Sequence, residues 1–443
     1  MKQILTLIKI SFLLLGTMAS CRSGAGNLFK TTSPHEQYQR KLTASGLDKT
    51  SMGKAWNTMA NQSLNKALLI TPPYKANGYF AAEKIPATVY RFEGLRGQKI
   101  NINLVRSAAS TNHIYIDLLT KQDNGEFKVI ASADTTGKPL VVETQENVTY
   151  FIRLQPELLS SAAYTIEITA GPSLNFPLTN TNRRNIQSLF GDGRDAGSRK
   201  HEGIDIFSPL HTPVLAAANG TVTRVNENNL GGKVVWMRPE GKNYTLYYAH
   251  LDRQIAVEGQ QVKTGDTLGL MGNTGNAKTT SPHLHFGIYT PNGTVDPLPF
   301  VNPVILPLPE VTAAVNLLNT RARTKGKTNL YLSASLTAQS AVALPPATVI
   351  FIHSAYKNAY GVELPDGKTG FINSRQLTAL APLKKIKITS SPLPGYEQPG
   401  EPMIVKTNFS QGETVSVMGV FSNYLLVSDD TKETAWIINK GSW

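Results

Sequence analysis

Two short runs hold the side chains best suited to chemistry in this 443-residue chain. The first is His201-Glu202-Gly203-Ile204-Asp205, and the second, about eighty residues on, is His283-Leu284-His285. A helical zinc motif places a second histidine four residues after the first, with a glutamate base between them. Here that position is Asp205, and Gly203 weakens a helix. In a strand, side chains at i, i+2 and i+4 share a face. His201 and Asp205 then point the same way across the small Gly203, and His283 and His285 share a face of a strand continuing through Phe286-Gly287-Ile288-Tyr289. Pairing those strands would converge His201, Asp205 and His285 on one ion. Two histidines and one carboxylate, with a fourth position open to water, form a catalytic zinc set. Closed structural sites usually draw on cysteine, and the chain has one.

The surroundings support a site. A polar, glycine-rich loop from Phe190 to Lys200 runs straight into His201, and a second loop from Asn273 to Pro282 runs into His283. Sites usually sit on such loops. His250 ends a strand-like run, Tyr244 to Tyr248, and beside a three-ligand ion it is a candidate to hold or deprotonate the attacking water. Neutral imidazole accepts a proton near pH 7 without large tuning, and zinc lowers the pKa of bound water and polarises a carbonyl. That combination is a water-activating hydrolase with no covalent intermediate.

Residues of about 184 to 302 resemble the lysostaphin/LytM-type zinc metallopeptidases, which cut peptide bonds in bacterial cell walls. The resemblance rests on Ser188-Leu189-Phe190-Gly191, Arg194-Asp195, His201-Glu202-Gly203-Ile204-Asp205-Ile206, Thr212-Pro213-Val214, Gly220-Thr221-Val222, Tyr248-Ala249-His250-Leu251, Gly265-Asp266, Gly272-Asn273-Thr274-Gly275 and Pro282-His283-Leu284-His285-Phe286. It implies one zinc ion per catalytic domain, held by His201, Asp205 and His285, with His250 and His283 as non-ligand catalytic histidines. One departure is His211, where the family usually has glycine before Thr-Pro-Val; we read it as a turn variation, not a ligand.

Those residues need elements to hold them, and the chain is too long for one domain. The expected fold is mainly β and multidomain: an antiparallel β catalytic domain, a β-sandwich, small β-barrel accessory domains and a short N-terminal helical segment. Residues 1–20, with Lys2, Lys9 and a short apolar run, have signal-peptide anatomy. The sequence resembles a lipoprotein signal with lipid on Cys21, although Met18 stands where leucine is usual. Residues 21–77 read as a tether and a helical segment, in which Met52, Trp56, Met59, Ala60 and Leu64 share one helical face. Residues 78–172 alternate as strands of a β-sandwich and resemble pre-peptidase C-terminal domains. The catalytic domain takes 173–302 and a Pro-rich linker 303–316. Residues 317–381 and 382–443 resemble two bacterial Src-homology-3-like barrels, the first with a hairpin turn at Asp366-Gly367.

The net charge of +13 is uneven. The span 191–300 is neutral, whereas 22–190 carries +7 and 301–443 carries +4. Basic accessory regions suit anionic envelope polymers or lipid head groups. Nucleic acid is not expected, because no recognisable nucleic-acid motif accompanies the charge. The resemblance implies peptidoglycan as partner, a membrane reached through the lipid anchor, and an outer-membrane address facing the periplasm. It favours cleavage of D-alanyl to diaminopimelate cross-links, with glycine bridges as the alternative bond. A silent LytM-like binding or activator protein is the alternative function. Contact of the C-terminal barrels with the catalytic groove is a further expectation.

Overall fold

The computed structural model describes residues 32–84, 86–107, 112–337, 341–389 and 392–440. The signal segment and Cys21 lie outside them. The protein is mainly β, 48% strand and 13% helical, spread over several sheets, as its alternating sequence predicts. No helix among the described residues is long and apolar enough to cross a membrane.

The sheet that matters for chemistry runs Ile186–Ser188, Gly203–Phe207, His283–Thr290, Thr245–Gln254, Gly232–Pro239, Gly220–Asn228 and Gln261–Val262, with every neighbour antiparallel. Period-two alternation sorts its side chains. Ile204, Ile206, Leu284, Phe286, Ile288, Leu246 and Tyr248 all pack into one core and are fully buried. Each contributes about 1.5–3 kcal/mol of burial. The intervening positions, Asp205, His283, His285 and Tyr247, are left for the opposite face. Asp205 stands directly opposite His285 in the register. A slip by one residue would bury the polar set and expose the apolar one, so the core itself enforces this register.

Two features differ from the sequence reading. His201 precedes its strand, which begins at Gly203; backbone bonds from His201 N to Asp192 O and from Gly191 N to His201 O fix it instead. His250 does not end a strand. It sits inside Thr245–Gln254 at a bulge, where Val235 pairs Tyr248 but Lys233 pairs Leu251. Its φ is +64°, and such an extra residue re-aims a side chain beside a site.

The accessory regions are more tightly interwoven than separate beads. A five-stranded sheet includes Thr88–Gly94, Val148–Pro156 and Ile114–Lys121. Strand Tyr74–Phe80 pairs with Ala162–Pro172 on one side and with Val349–Tyr356 on the other. The resulting eleven-stranded sheet joins the N-terminal and C-terminal regions. Tyr74 stacks on Tyr356 at 4.6 Å, and Phe371 shares the core of Ile100 and Ile166. The expected boundary between 77 and 78 therefore falls within a strand. No contact of the C-terminal barrels with the catalytic groove is seen among the described residues. Val349–Tyr356 satisfies a strand edge that would otherwise offer unpaired N–H and C=O groups, whereas the residues lining the catalytic groove all lie between Ser188 and Tyr289. In the first C-terminal region, strands Ala359–Glu363 and Thr369–Asn373 pair around Asp366-Gly367, with Gly367 at φ +78°. A six-stranded sheet lies within 384–438, and Trp436 is buried at 2% exposure.

The helical segment forms helices Pro34–Ala44 and Ser51–Gln62, capped by Ser33 and Thr50 accepting from Glu36 N and Gly53 N. Trp56 and Leu42 pack against Tyr115 of the five-stranded sheet. Trp56 donates to Pro156 O at 2.9 Å, so it is a packing residue. It stacks on the buried His35, whose Nε2 meets Gln155 Oε1 at 2.6 Å and whose Nδ1 meets Arg153 at 3.3 Å. Arg153 also donates to Asp117 Oδ2 at 2.6 Å. Burial, then the Arg153 charge, pushes His35 down to about 4, against partial opposition from Gln155, Asp117 and Glu36. Above the unfolded value near 6.5 the docking stability is complete. As pH falls from 6.5 towards 4 the unfolded chain binds a proton that the folded one refuses, and about 3 kcal/mol is lost. Hydrogen exchange in helix Pro34–Ala44, corrected for intrinsic rate, should accelerate up to roughly 100-fold between pH 7 and 4.5 if opening there exposes His35. His35→Gln should remove that acceleration; an unchanged profile in the variant would refute the role of His35.

Candidate metal centre

The opposed strands Gly203–Phe207 and His283–Thr290 bring three donors to one point. His201 Nε2 lies 3.0 Å from Asp205 Oδ1 and 2.9 Å from His285 Nδ1, and His285 Nδ1 lies 3.0 Å from Asp205 Oδ1. The approach requires glycine at 203. A Cβ there would come within 2.8 Å of the His285 ring and 2.5 Å of Phe286 O.

Chemistry favours a cation among these atoms. His201 Nδ1 is 2.8 Å from Leu189 O, and a carbonyl only accepts, so Nδ1 carries the proton and Nε2 presents a lone pair. That lone pair faces both a carboxylate oxygen and a second imidazole nitrogen, a repulsive arrangement that a metal ion relieves. Arg194 donates to the other oxygen, Asp205 Oδ2, at 2.8 Å, and contacts Ser188 Oγ. A fixed tautomer and an anchored carboxylate are the outer contacts that metal ligands usually have. Burial disfavours the charged Asp205, but the adjacent His201 and His285 outweigh it and hold its carboxyl well below the usual range. Burial pushes His285 down, opposed by Asp205. The three residues thus form a His-Asp-His group able to hold a metal ion.

His250 and His283 stand beside this group without joining it. Their ring centroids are 4.9 Å apart, and the His250 centroid is 5.9 Å from that of His285. His250 Nδ1 meets Thr274 O at 2.8 Å and His283 Nδ1 meets Ser281 O at 2.9 Å. Both therefore donate from Nδ1 and keep an unprotonated Nε2. Burial, then His283 and His285, pushes His250 down to about 4. His283 stacks on Phe207 at 4.8 Å. All five residues line one groove of about 520 Å³. His211 lies outside it, exposed, with φ +67° and Nε2 3.1 Å from Asp252 Oδ2. Its left-handed backbone explains why glycine suits that position.

Several contributors escape a reading of side-chain motifs. The carbonyls of Leu189, Thr274 and Ser281 set three tautomers, yet any residue could supply a carbonyl. Arg194 stands within a motif, but its grip on Asp205 needs three dimensions. Trp236, Tyr247 and Tyr289 form an aromatic wall of the groove, with Trp236 and Tyr247 centroids 4.2 Å apart and Trp236 and Tyr289 5.2 Å apart. Alternation places Tyr247 and Tyr289 on faces of their strands, but the sheet order that joins them to Trp236 is not local information.

Residues 199–297 match the model of Peptidase family M23. Among proteins the chain is similar to an uncharacterized metalloprotease of Haemophilus influenzae, 36% identical across 41% of this chain and 35% of that protein. It is also similar to the peptidoglycan DD-endopeptidase ShyC of Vibrio cholerae, 34% identical across 24% of this chain and 23% of that protein. The chain thus spans about a third or less of the length of these relatives. Among solved structures, the catalytic domain of the antimicrobial peptidase lysostaphin from Staphylococcus simulans is 28% identical across 26% of this chain and 92% of that one, with a TM-score of 0.24.

Proposed function

We propose that the protein is a zinc-dependent endopeptidase that hydrolyses cross-linking peptide bonds of bacterial peptidoglycan, with D-alanyl to diaminopimelate as the bond. The observation that carries this reading is the convergence of His201 Nε2, Asp205 Oδ1 and His285 Nδ1 within 3.0 Å, beside two further imidazoles with free Nε2 atoms. The M23 domain and the likeness to a peptidoglycan DD-endopeptidase support the substrate class.

His201, Asp205 and His285 are the ligands, a nitrogen and oxygen set suited to zinc. Zinc, when bound, supplies Lewis acidity towards water and the scissile carbonyl. His250 and His283 divide the proton work: the Nε2 of one accepts the water's proton and the imidazolium so formed passes that proton to the leaving amine, while the other, after taking a proton from solvent at Nε2, donates to the oxygen that becomes negative. Backbone carbonyls hold both rings so that neither rotates away. The aromatic wall of Trp236, Tyr247 and Tyr289 excludes water on one side and gives a peptide chain a flat surface. Cys21 as lipid attachment point, in a lipoprotein of the outer membrane facing the periplasm, would keep the groove close to the wall.

Arg194→Gln should retain the fold and weaken zinc affinity about 10–100-fold, because Asp205 loses the partner that aims it. Competition against a calibrated chelator measures it; unchanged affinity would remove Arg194 from the account. The reading as a whole is tested by digesting purified wall sacculi and identifying the released muropeptides by mass spectrometry. New D-alanyl and diaminopimelate termini support it, whereas cleavage at any other bond overturns the proposed bond.

A further inference from the structure

A second cavity, of about 380 Å³, lies away from the catalytic groove. The helical segment, strand Tyr74–Phe80, strand Val349–Tyr356 and the last β region all contribute to it. Its lining and that of the catalytic groove share no residue. The volume falls at the small end of the range for ligand sites.

Its chemistry is mixed in a particular way. Lys66, Lys84 and Arg321 bring three cations, against one carboxylate, Glu363. Among the described residues, none of the three cations forms an ion pair within 4.0 Å. Lys84 Nζ instead rests 3.0 Å from the centroid of the Phe351 ring, and Arg321 reaches only the hydroxyl of Thr434, at 3.3 Å. Desolvation pushes the Lys84 ammonium down to about 8 and lowers Arg321, while it raises Glu363. All three cations keep contact with solvent and Glu363 offsets Lys66 and Lys84 only in part, so an anion entering here would meet a net positive charge. His353 also lines the cavity, and its enclosed Nδ1 has no hydrogen-bond partner. Phe351 and Trp436 add apolar surface.

We propose that this cavity binds a short acidic peptide, its carboxylates on Lys84 and Arg321, its amino terminus towards Glu363 and its apolar part against Phe351 and Trp436. Inorganic phosphate would use the cations alone and be repelled by Glu363. A zwitterionic peptide with excess negative charge uses both the cations and Glu363. The site belongs to the accessory regions, so it would hold peptide independently of the metal centre. Its joint construction from N-terminal and C-terminal elements gives the interwoven sheet a use beyond stability.

Isothermal titration of the full chain with the tripeptide Ala-Glu-Ala, bearing free termini, tests the proposal. The expected result is saturable binding, weakened at least tenfold in Lys84→Met/Arg321→Met and unchanged in Asp205→Ala. Glu363→Gln gives a control that misfolding cannot imitate. It should abolish the preference for Ala-Glu-Ala over its N-acetylated form while retaining affinity for the latter. No binding by the unaltered chain, equal binding by the double variant, or tighter binding of inorganic phosphate than of peptide would overturn the assignment.

Discussion

Asp205→Ala should yield a folded protein that purifies without stoichiometric zinc and leaves wall sacculi intact. The substitution removes the one carboxylate of the His-Asp-His group and would leave two imidazoles to hold an ion. Losing an outer contact costs a metal site about 10–100-fold in affinity, and losing the anionic ligand should cost more. Activity should fall by at least 1,000-fold, about 4 kcal/mol in the barrier. The fold should survive, because Ile204 and Ile206 on either side keep their core positions and the partner left behind, Arg194, retains access to solvent. Metal analysis of the purified variant, with circular dichroism as the folding control, checks this. A full complement of zinc in Asp205→Ala would remove that residue from the ligand set.

His283→Ala should behave differently, keeping zinc and losing turnover. Its Nδ1 is held by Ser281 O, and its Nε2 is not within the group formed by His201, Asp205 and His285. A positioned general acid or base contributes about 100- to 10,000-fold, so kcat should fall by that factor with metal content unchanged. The lost stacking on Phe207 sits at the groove surface, not in the core beneath it. His250 needs another choice of variant. Its backbone is left-handed at φ +64°, which alanine tolerates poorly and asparagine better. His250→Asn should therefore keep the bulge and the metal while losing a comparable share of activity. Equal metal loss in His283→Ala and Asp205→Ala would contradict the division between ligands and proton carriers.

The sequence carried the site further than it carried the architecture. Asp205 and His285 are legible because alternation is local: knowing that Ile204, Leu284 and Phe286 seek a core puts their neighbours on the other face, whereas His201 lies before the strand and is held by loop backbone bonds. Gly203 is legible for a related reason, since only a missing side chain lets His285 come so close. The bulge at His250 was not, because an extra residue in one strand shows only against its partner. The long-range pairing of Tyr74–Phe80 with Val349–Tyr356 was hidden likewise. Each strand alternates convincingly alone, and nothing local says which edge it will meet. The expected boundary at 77/78 cuts through a strand for that reason.

If His201, Asp205, His250, His283 and His285 together make a metal-dependent wall endopeptidase, activity must follow the metal. Mass spectrometry of muropeptides released from purified sacculi, by protein stripped of metal and then reloaded with zinc, tests it most directly. No release is expected after stripping, and cleavage between D-alanine and diaminopimelate on adding zinc, with Asp205→Ala silent throughout. Release that persists in the stripped protein, or a zinc-loaded protein that leaves sacculi uncut, would contradict it.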